Sequence, residues 1–139
     1  MNDVNASHYN LPPPQITDQN RPFWDGAKQN RLMVLRCEGC GRHRFPPVPC
    51  CKRCLSTHAS WTEVPGRGTL WSWAVIHRPY FPGALVPYQV AIVELDEGPL
   101  LGTNIINARD ENMRVGAPVR VAFKQIENDL TLPVFELVD

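Results

Sequence analysis

Two pairs of cysteines with the same spacing constrain this chain more than any other feature. Cys37 and Cys40 form one CxxC pair, and after ten intervening residues Cys51 and Cys54 form a second. Two such pairs typically supply four thiolates to one tetrahedral ion, and a closed set of four ligands leaves no position for water or substrate. The spacing therefore predicts one structural zinc ion rather than a catalytic metal.

A single iron is the alternative ion, because rubredoxin binds iron with the same four ligands. Knuckles of the rubredoxin type usually place a glycine after the second cysteine of each pair. Gly41 fits this pattern, whereas Leu55 stands in that place in the second pair. The fifth cysteine, Cys50, either replaces Cys51 with a less usual CxxxC spacing or stays free. We predict zinc, with the ligands Cys37, Cys40, Cys51 and Cys54.

The choice between metal and disulfides depends on the compartment in which the chain folds. Residues 1–10 lack the apolar core of a signal peptide, and no stretch approaches the ~20 apolar residues that a membrane span needs. We therefore expect a cytoplasmic protein with no membrane among its partners. In a reducing compartment, paired cysteines bind metal more often than they form disulfides.

The chain is predicted to divide into three parts. Residues 1–16 are polar, contain three consecutive prolines near their end, and are expected to form an extended N-terminal arm. Residues 17–60 hold a short helix and the metal module, and residues 61–139 have the alternating pattern of β-strands. Fourteen prolines argue against an architecture of long helices. We therefore predict a mainly β fold.

A short helix is predicted ahead of the first cysteine pair. Thr17 or Asn20 is the candidate N-cap, and Pro22 falls in the first turn, where its missing N–H costs least. A strand over residues 32–36 then leads into the metal module. The helix would end near residue 31 and present an apolar face formed by Phe23, Trp24 and Ala27.

Five strands are predicted after residue 61. Five short antiparallel strands in about 75 residues suit a closed OB-fold barrel, whereas immunoglobulin-like sandwiches usually need about seven. Strict alternation would place Leu70, Ser72, Ala74 and Ile76 on one face of the first strand, with both faces covered. The five strands are residues 69–77, 88–95, 100–106, 119–124 and 132–138, with a turn at Asn128-Asp129.

Charge is balanced over the chain but divided between its parts. Fourteen basic residues meet fourteen acidic ones, which argues against a polycation that binds DNA by bulk charge. Residues 61–139 hold six basic and ten acidic side chains. A nucleic-acid-binding module is therefore the disfavoured alternative, because a groove for single strands needs cations and exposed aromatic residues.

The cations near the cysteines allow two interpretations. Within residues 31–54, six basic side chains face a single acidic one. They either neutralise the net negative charge of a zinc ion with four thiolates or contact the phosphates of a ligand. The candidate phosphate contacts are Arg42, Arg44, Lys52 and Arg53.

The connection between the first two barrel strands, residues 77–88, is unusually apolar. It either folds over one mouth of the barrel or forms a binding surface for a partner or ligand. We favour the binding surface. Its candidate contacts are His77, Tyr80, Phe81 and Tyr88.

Six short motifs occur in a fixed order along the chain. They are NRPFWDG at residues 20–26, RCxxCG at 36–41, FPP at 45–47, CxxC at 51–54, GTL at 68–70 and VGAPVRV at 115–121. In this order they resemble the DUF35 family over residues 17–138. Two departures are Lys52, where the family often has proline, and Val48, where it often has arginine.

This resemblance implies a rubredoxin-like zinc ribbon, an OB-fold and an accessory role without catalytic residues. Family members are similar to small subunits of thiolase-fold enzymes, including thiolases, acyltransferases and aldolases, and others accompany MaoC-like hydratases. In such complexes the small subunit lines the channel for a CoA thioester, while the large subunit holds the nucleophile. The resemblance thus implies a thiolase-fold partner subunit with acyl-CoA at the shared interface.

Overall fold

A computed structural model describes residues 14–127 and 130–138. Most of the predicted N-terminal arm and the turn at Asn128-Asp129 lie outside the described residues. The described part contains one α-helix, a three-stranded sheet and a five-stranded sheet. Among these residues, no helix has the length and apolarity that crossing a membrane requires.

The N-terminal helix, α1, spans Arg21–Lys28 and packs on the first strand. Pro22 lies in the first turn, as predicted, and Asn20 occupies the N-cap position without a side-chain bond to the helix. Gly26 approaches Met33 so closely that a Cβ at this position would overlap the methionine side chain. The glycine therefore brings the helix close to the strand. The buried face consists of Phe23, Gly26 and Ala27.

The small sheet has the order β2-β1-β3, with β1 at Leu32–Cys37, β2 at His43–Arg44 and β3 at Ala59–Val64. β3 crosses the predicted boundary at residue 61 and pairs antiparallel with β1 along the whole length of both strands. β1 ends at Cys37, so the centre of this sheet holds the first cysteine in place.

The five-stranded sheet has the order β6-β5-β4-β7-β8 and curls into a nearly closed barrel. β6 ends before the predicted residue 106, and the chain then reaches β8, where Ile105 forms a parallel bridge with Phe135. The Ile106 N–H donates to the Phe135 carbonyl oxygen at 2.9 Å. The OB-fold prediction is confirmed. The strands are β4 (Arg67–Ile76), β5 (Tyr88–Leu95), β6 (Leu100–Thr103), β7 (Pro118–Glu127) and β8 (Leu130–Leu137).

One hydrophobic core joins the helix, the small sheet and the barrel. Phe23 from α1 and Val34 from β1 belong to the same buried cluster as Val93 of β5 and Phe135 of β8. The metal module and the barrel therefore pack as one unit, and a change in either affects the free energy of unfolding of both.

A β-bulge in β4 makes the predicted division of its two faces wrong. Leu70 pairs with Val93 but Ser72 pairs with Ile92, so Trp71 is the additional residue. Residues directly opposite each other share a face, and one additional residue reverses the alternation beyond it. Beyond the bulge, Trp73 therefore shares the inward face with Leu70, while Ser72 faces outward.

Candidate functional site

The four cysteines of the two CxxC pairs converge on one point. Their Sγ atoms all lie within 4.8 Å of one another. The Sγ of Cys37 is 3.4 Å from that of Cys54, and the Sγ of Cys40 is 3.6 Å from that of Cys51. Thiolates ~2.3 Å from a tetrahedral zinc ion lie ~3.8 Å apart. The arrangement therefore fits one ion with four thiolate ligands.

The two knuckles share one backbone geometry. The Gly41 N–H donates to the Cys37 carbonyl oxygen at 2.9 Å, and the Leu55 N–H donates to that of Cys51 at 3.0 Å. The φ angles of Gly41 and Leu55 are 80° and 64°. Leu55 thus adopts the left-handed conformation that its knuckle requires, although a residue with a Cβ adopts it at a cost of roughly 1–2 kcal/mol.

Backbone N–H groups in the knuckles stabilise thiolates. The pKa of Cys51 is lowered to about 6, and the hydrogen bond from the Cys54 N–H is the largest cause. The N–H of Cys40 lowers the pKa of Cys37 against the opposing effect of burial. The Ser56 N–H lowers the pKa of Cys54, but the neighbouring thiols and burial outweigh it and raise that pKa to about 11. Cys37 and Cys51 thus favour the ionised form that zinc binds.

Cys50 lies outside the cluster of four Sγ atoms and is exposed, whereas its neighbour Cys51 is buried. The Cys51 N–H donates to the Ser56 carbonyl oxygen at 3.0 Å, which fixes the backbone of the knuckle at this residue. The geometry therefore favours Cys51 over Cys50 as the ligand.

Replacing Leu55 with glycine is expected to stabilise the zinc-loaded protein by up to about 1 kcal/mol, because it removes the left-handed strain. The Leu55 side chain is 73% exposed, so little packing is lost. Chemical denaturation measures the change. The matched control is the reverse change in the first knuckle, Gly41→Ala, which should lower the free energy of unfolding by about the same amount. A Leu55→Gly protein less stable than the parent would contradict the strain argument.

The candidate phosphate contacts lie on the metal module. Arg42, Lys52 and Arg53 are exposed, and the last two belong to the second knuckle. Arg44 is half-buried, and its Nε donates to the Val48 carbonyl oxygen at 3.1 Å. The backbone carbonyl of Val48 thus engages the arginine side chain, while three guanidinium or ammonium groups remain at the surface.

The candidate partner contacts lie in and beside the loop that connects β4 to β5. His77 and Tyr80 are exposed, and the Arg78 guanidinium lies 5.6 Å from the centroid of the Tyr80 ring. Phe81 and Tyr88 are half-buried and pack together with ring centroids 6.2 Å apart. One aromatic pair of the loop is thus packed within the chain, whereas Tyr80 is accessible to a partner.

Several apolar residues of β4 and β5 are exposed, which the sequence did not predict. Trp71 is 50% exposed, and about a third or more of Trp73, Val75, Val90 and Ile92 is also exposed. Trp73 and Val75 lie on the inward face of the sheet, whereas Val90 and Ile92 lie on its outer face. The signal was the apolar character of both faces of β4, which predicts that both faces are covered. Cover by another protein produces the same pattern.

Comparison with known families identifies both parts of the chain. Residues 24–59 match the rubredoxin-like zinc ribbon domain of ChsH2, and residues 61–124 match the ChsH2 C-terminal OB-fold domain. The zinc ribbon match and the converging cysteines confirm the predicted site for one zinc ion.

Two curated relatives differ in length from each other. A probable enoyl-CoA hydratase alpha subunit of Thermomonospora curvata is 40% identical over 89% of this chain and 39% of its own length. A DUF35 domain-containing scaffold protein of Methanocaldococcus jannaschii is 28% identical over 76% of this chain and 77% of its own. The chain thus spans less than half of the hydratase subunit.

A solved structure matches nearly end to end. It is a chain of the Ltp2-ChsH2(DUF35) aldolase, with a TM-score of 0.80 and 38% identity, and the match covers 90% of this chain and 98% of that one. With a ChsH2-type zinc ribbon followed by a ChsH2-type OB-fold, this chain belongs to the DUF35 family.

Proposed function

We propose that this chain is a non-catalytic subunit that binds a thiolase-fold enzyme and helps to form its acyl-CoA channel. The bond-breaking or bond-forming step on the CoA thioester then takes place in the partner. The likeness to the DUF35 chain of an aldolase, over 98% of that chain, carries this proposal. The hydratase alpha subunit among the relatives favours a hydratase as the second candidate partner.

The zinc ion has a structural role in this proposal. A zinc ion with four protein thiolates supplies folding free energy and no open coordination position. Here it would tie Cys37, at the end of β1, to the second knuckle, and so fix the surface that carries Arg42, Lys52 and Arg53. A fixed cationic surface attracts phosphates better than a mobile one, because less entropy is lost on binding.

Co-expression with a thiolase-fold subunit, followed by gel filtration and a CoA-thioester assay, tests the function. We expect the two proteins to co-elute and the partner to need this chain for full activity. A partner that is fully active alone would contradict the proposal, as would turnover of a CoA thioester by the isolated chain. Co-elution with a MaoC-like hydratase subunit alone would select the second candidate.

The double substitution Arg42→Gln and Arg53→Gln is expected to raise the KM for a CoA thioester about fivefold without changing kcat. Each lost cation removes part of the attraction for the phosphates of CoA, and the effect should shrink at high salt. Steady-state kinetics of the complex at two salt concentrations measure both effects.

The matched control for the cations is Arg109→Gln with Arg114→Gln. These two exposed arginines lie on the barrel side of the chain, so the net charge changes equally. An equal rise in KM in the control would show a bulk charge effect. An unchanged KM with weaker zinc binding would instead assign Arg42 and Arg53 to neutralisation of the metal centre.

A further inference from the structure

The outer part of β4 has an open edge. β7 pairs with β4 only at residues 67–69, and the Leu70 N–H then donates to the Ala117 carbonyl oxygen at 2.8 Å. β4 continues for six more residues, Trp71–Ile76. Within the described ranges, 14–127 and 130–138, backbone pairing of this segment comes from β5 alone.

This edge lacks the usual protection against strand pairing. Proteins normally protect exposed edges with charged side chains, prolines or very short strands. The segment Trp71–Ile76 contains no charged residue and no proline, and it is rich in aromatic and β-branched residues. Its side chains are apolar on both faces, and Trp71 to Val75 are all exposed. Such an edge is a template for another strand.

The apolar surface extends beyond the edge. Val90 and Ile92 of β5 are exposed beside it, and so are Tyr80 and Leu85 of the loop. A fully accessible aromatic side chain presents ~150–250 Å². The exposed parts of these aromatic and aliphatic residues therefore add up to several hundred Å² of apolar surface. This area is divided between the two faces of the sheet and supplies part of the ~800 Å² that one partner buries in a stable interface.

We propose that the open edge of β4 receives a β-strand of the partner enzyme, which extends the barrel sheet by one strand. This inference rests on the proposed function. Six residues match the usual length of a strand, and main-chain hydrogen bonds supply affinity while alternate side chains supply specificity. The added strand carries apolar side chains that pack on Trp73 and Val75 on the inward face and on Ala74 and Ile76 on the outer face.

Charge favours a different protein over a second copy of this chain. Residues 70–93 contain one arginine, Arg78, and no acidic residue. A second copy would therefore offer no carboxylate to this cation. A partner with an acidic side chain beside its apolar strand complements the end of β4 better.

Amide hydrogen exchange on the isolated chain and on its complex with the thiolase-fold subunit tests the proposal. We expect alternate amides of Trp71–Ile76, those pointing away from β5, to exchange rapidly in the isolated chain. In the complex they should become at least 100-fold slower. Protection of these amides in the isolated monomeric chain would mean that the chain covers its own edge, and the proposal would fall.

A charge placed on the edge provides the second test. Ala74→Lys should weaken the complex at least tenfold, because a lysine on an edge strand opposes strand pairing. The control Leu100→Lys places the same charge on an exposed apolar residue of β6, two strands away in the sheet, and should change the affinity less than twofold. Zinc content and thermal unfolding verify that both variants are folded.

The outcomes separate the two proposals. A complex that forms without protecting Trp71–Ile76, or that tolerates Ala74→Lys, would overturn the strand addition and leave the proposed function intact. The absence of any complex would overturn the proposed function and the strand addition with it. Concentration-dependent dimers of the isolated chain that Ala74→Lys abolishes would assign the edge to a second copy instead.

Discussion

Replacing Cys51 with alanine is expected to remove the zinc ion and to unfold the whole chain, not the ribbon alone. The Cys51 side chain is buried, and its Sγ lies 3.6 Å from that of Cys40. Structural zinc sites contribute about 10–16 kcal/mol of binding free energy near neutral pH. This is comparable to the 5–15 kcal/mol by which most domains are stable.

The shared core makes the unfolding cooperative. Phe23 and Val34 pack in the same buried cluster as Phe135, so loss of the ribbon exposes apolar surface of the barrel. Elemental analysis should find about one zinc ion per parent chain and none in Cys51→Ala, and circular dichroism should show loss of the β signal. The control Cys50→Ala should retain zinc and fold. A metal-free Cys50→Ala protein, or a zinc-loaded Cys51→Ala protein, would show that the ligand is Cys50.

The metal centre could be predicted from the sequence because each pair of ligands lies within a few consecutive residues. Each CxxC pair fixes two ligands within one tight turn, so the spacing alone implies a knuckle. The left-handed conformation of Leu55 was not predicted, although the glycine usual at this place in a knuckle indicates it, since leucine rarely adopts a positive φ. Only the zinc geometry, which requires both knuckles to have the same shape, explains why this residue accepts the strain.

The strands of the barrel could be located by their alternation, but the faces of β4 could not be assigned beyond Leu70. The bulge at Trp71 depends on how β4 bends between β7 and β5, which is a property of the closed barrel and not of the local sequence. β3 was missed for a similar reason. Its residues Ala59–Val64 form a strand because β1 lies beside them, and their sequence follows directly on the metal module.

The exposure of apolar residues on β4 could not be predicted, because the sequence does not show what covers an apolar strand. The apolar residues on both faces of β4 predict that both faces are covered, by the fold itself or by another protein. A subunit of a complex leaves such residues for its partner to cover, and a single sequence does not distinguish the two cases. The arrangement of β4, β5 and β7 makes the distinction, because β7 leaves β4 at Thr69.

The double substitution Tyr80→Ala and Leu85→Ala is expected to weaken the complex with the partner enzyme by at least about 30-fold, or roughly 2 kcal/mol. Tyr80 is 70% exposed, and Leu85 is exposed on the same loop. Phe81 is left unchanged, because it packs on Tyr88 and its loss would disturb the loop itself.

The matched control for the loop is Val115→Ala with Leu100→Ala. Val115 is also 70% exposed and Leu100 is exposed, so the control removes similar apolar surface from other parts of the barrel. Isothermal titration of each double variant with the partner measures the affinity, and zinc content verifies the fold. Apolar residues at the centre of an interface contribute far more than those at its rim or outside it. A control that weakens binding as much as the loop variant would show that exposed apolar area in general matters, and would remove the loop residues from the docking site.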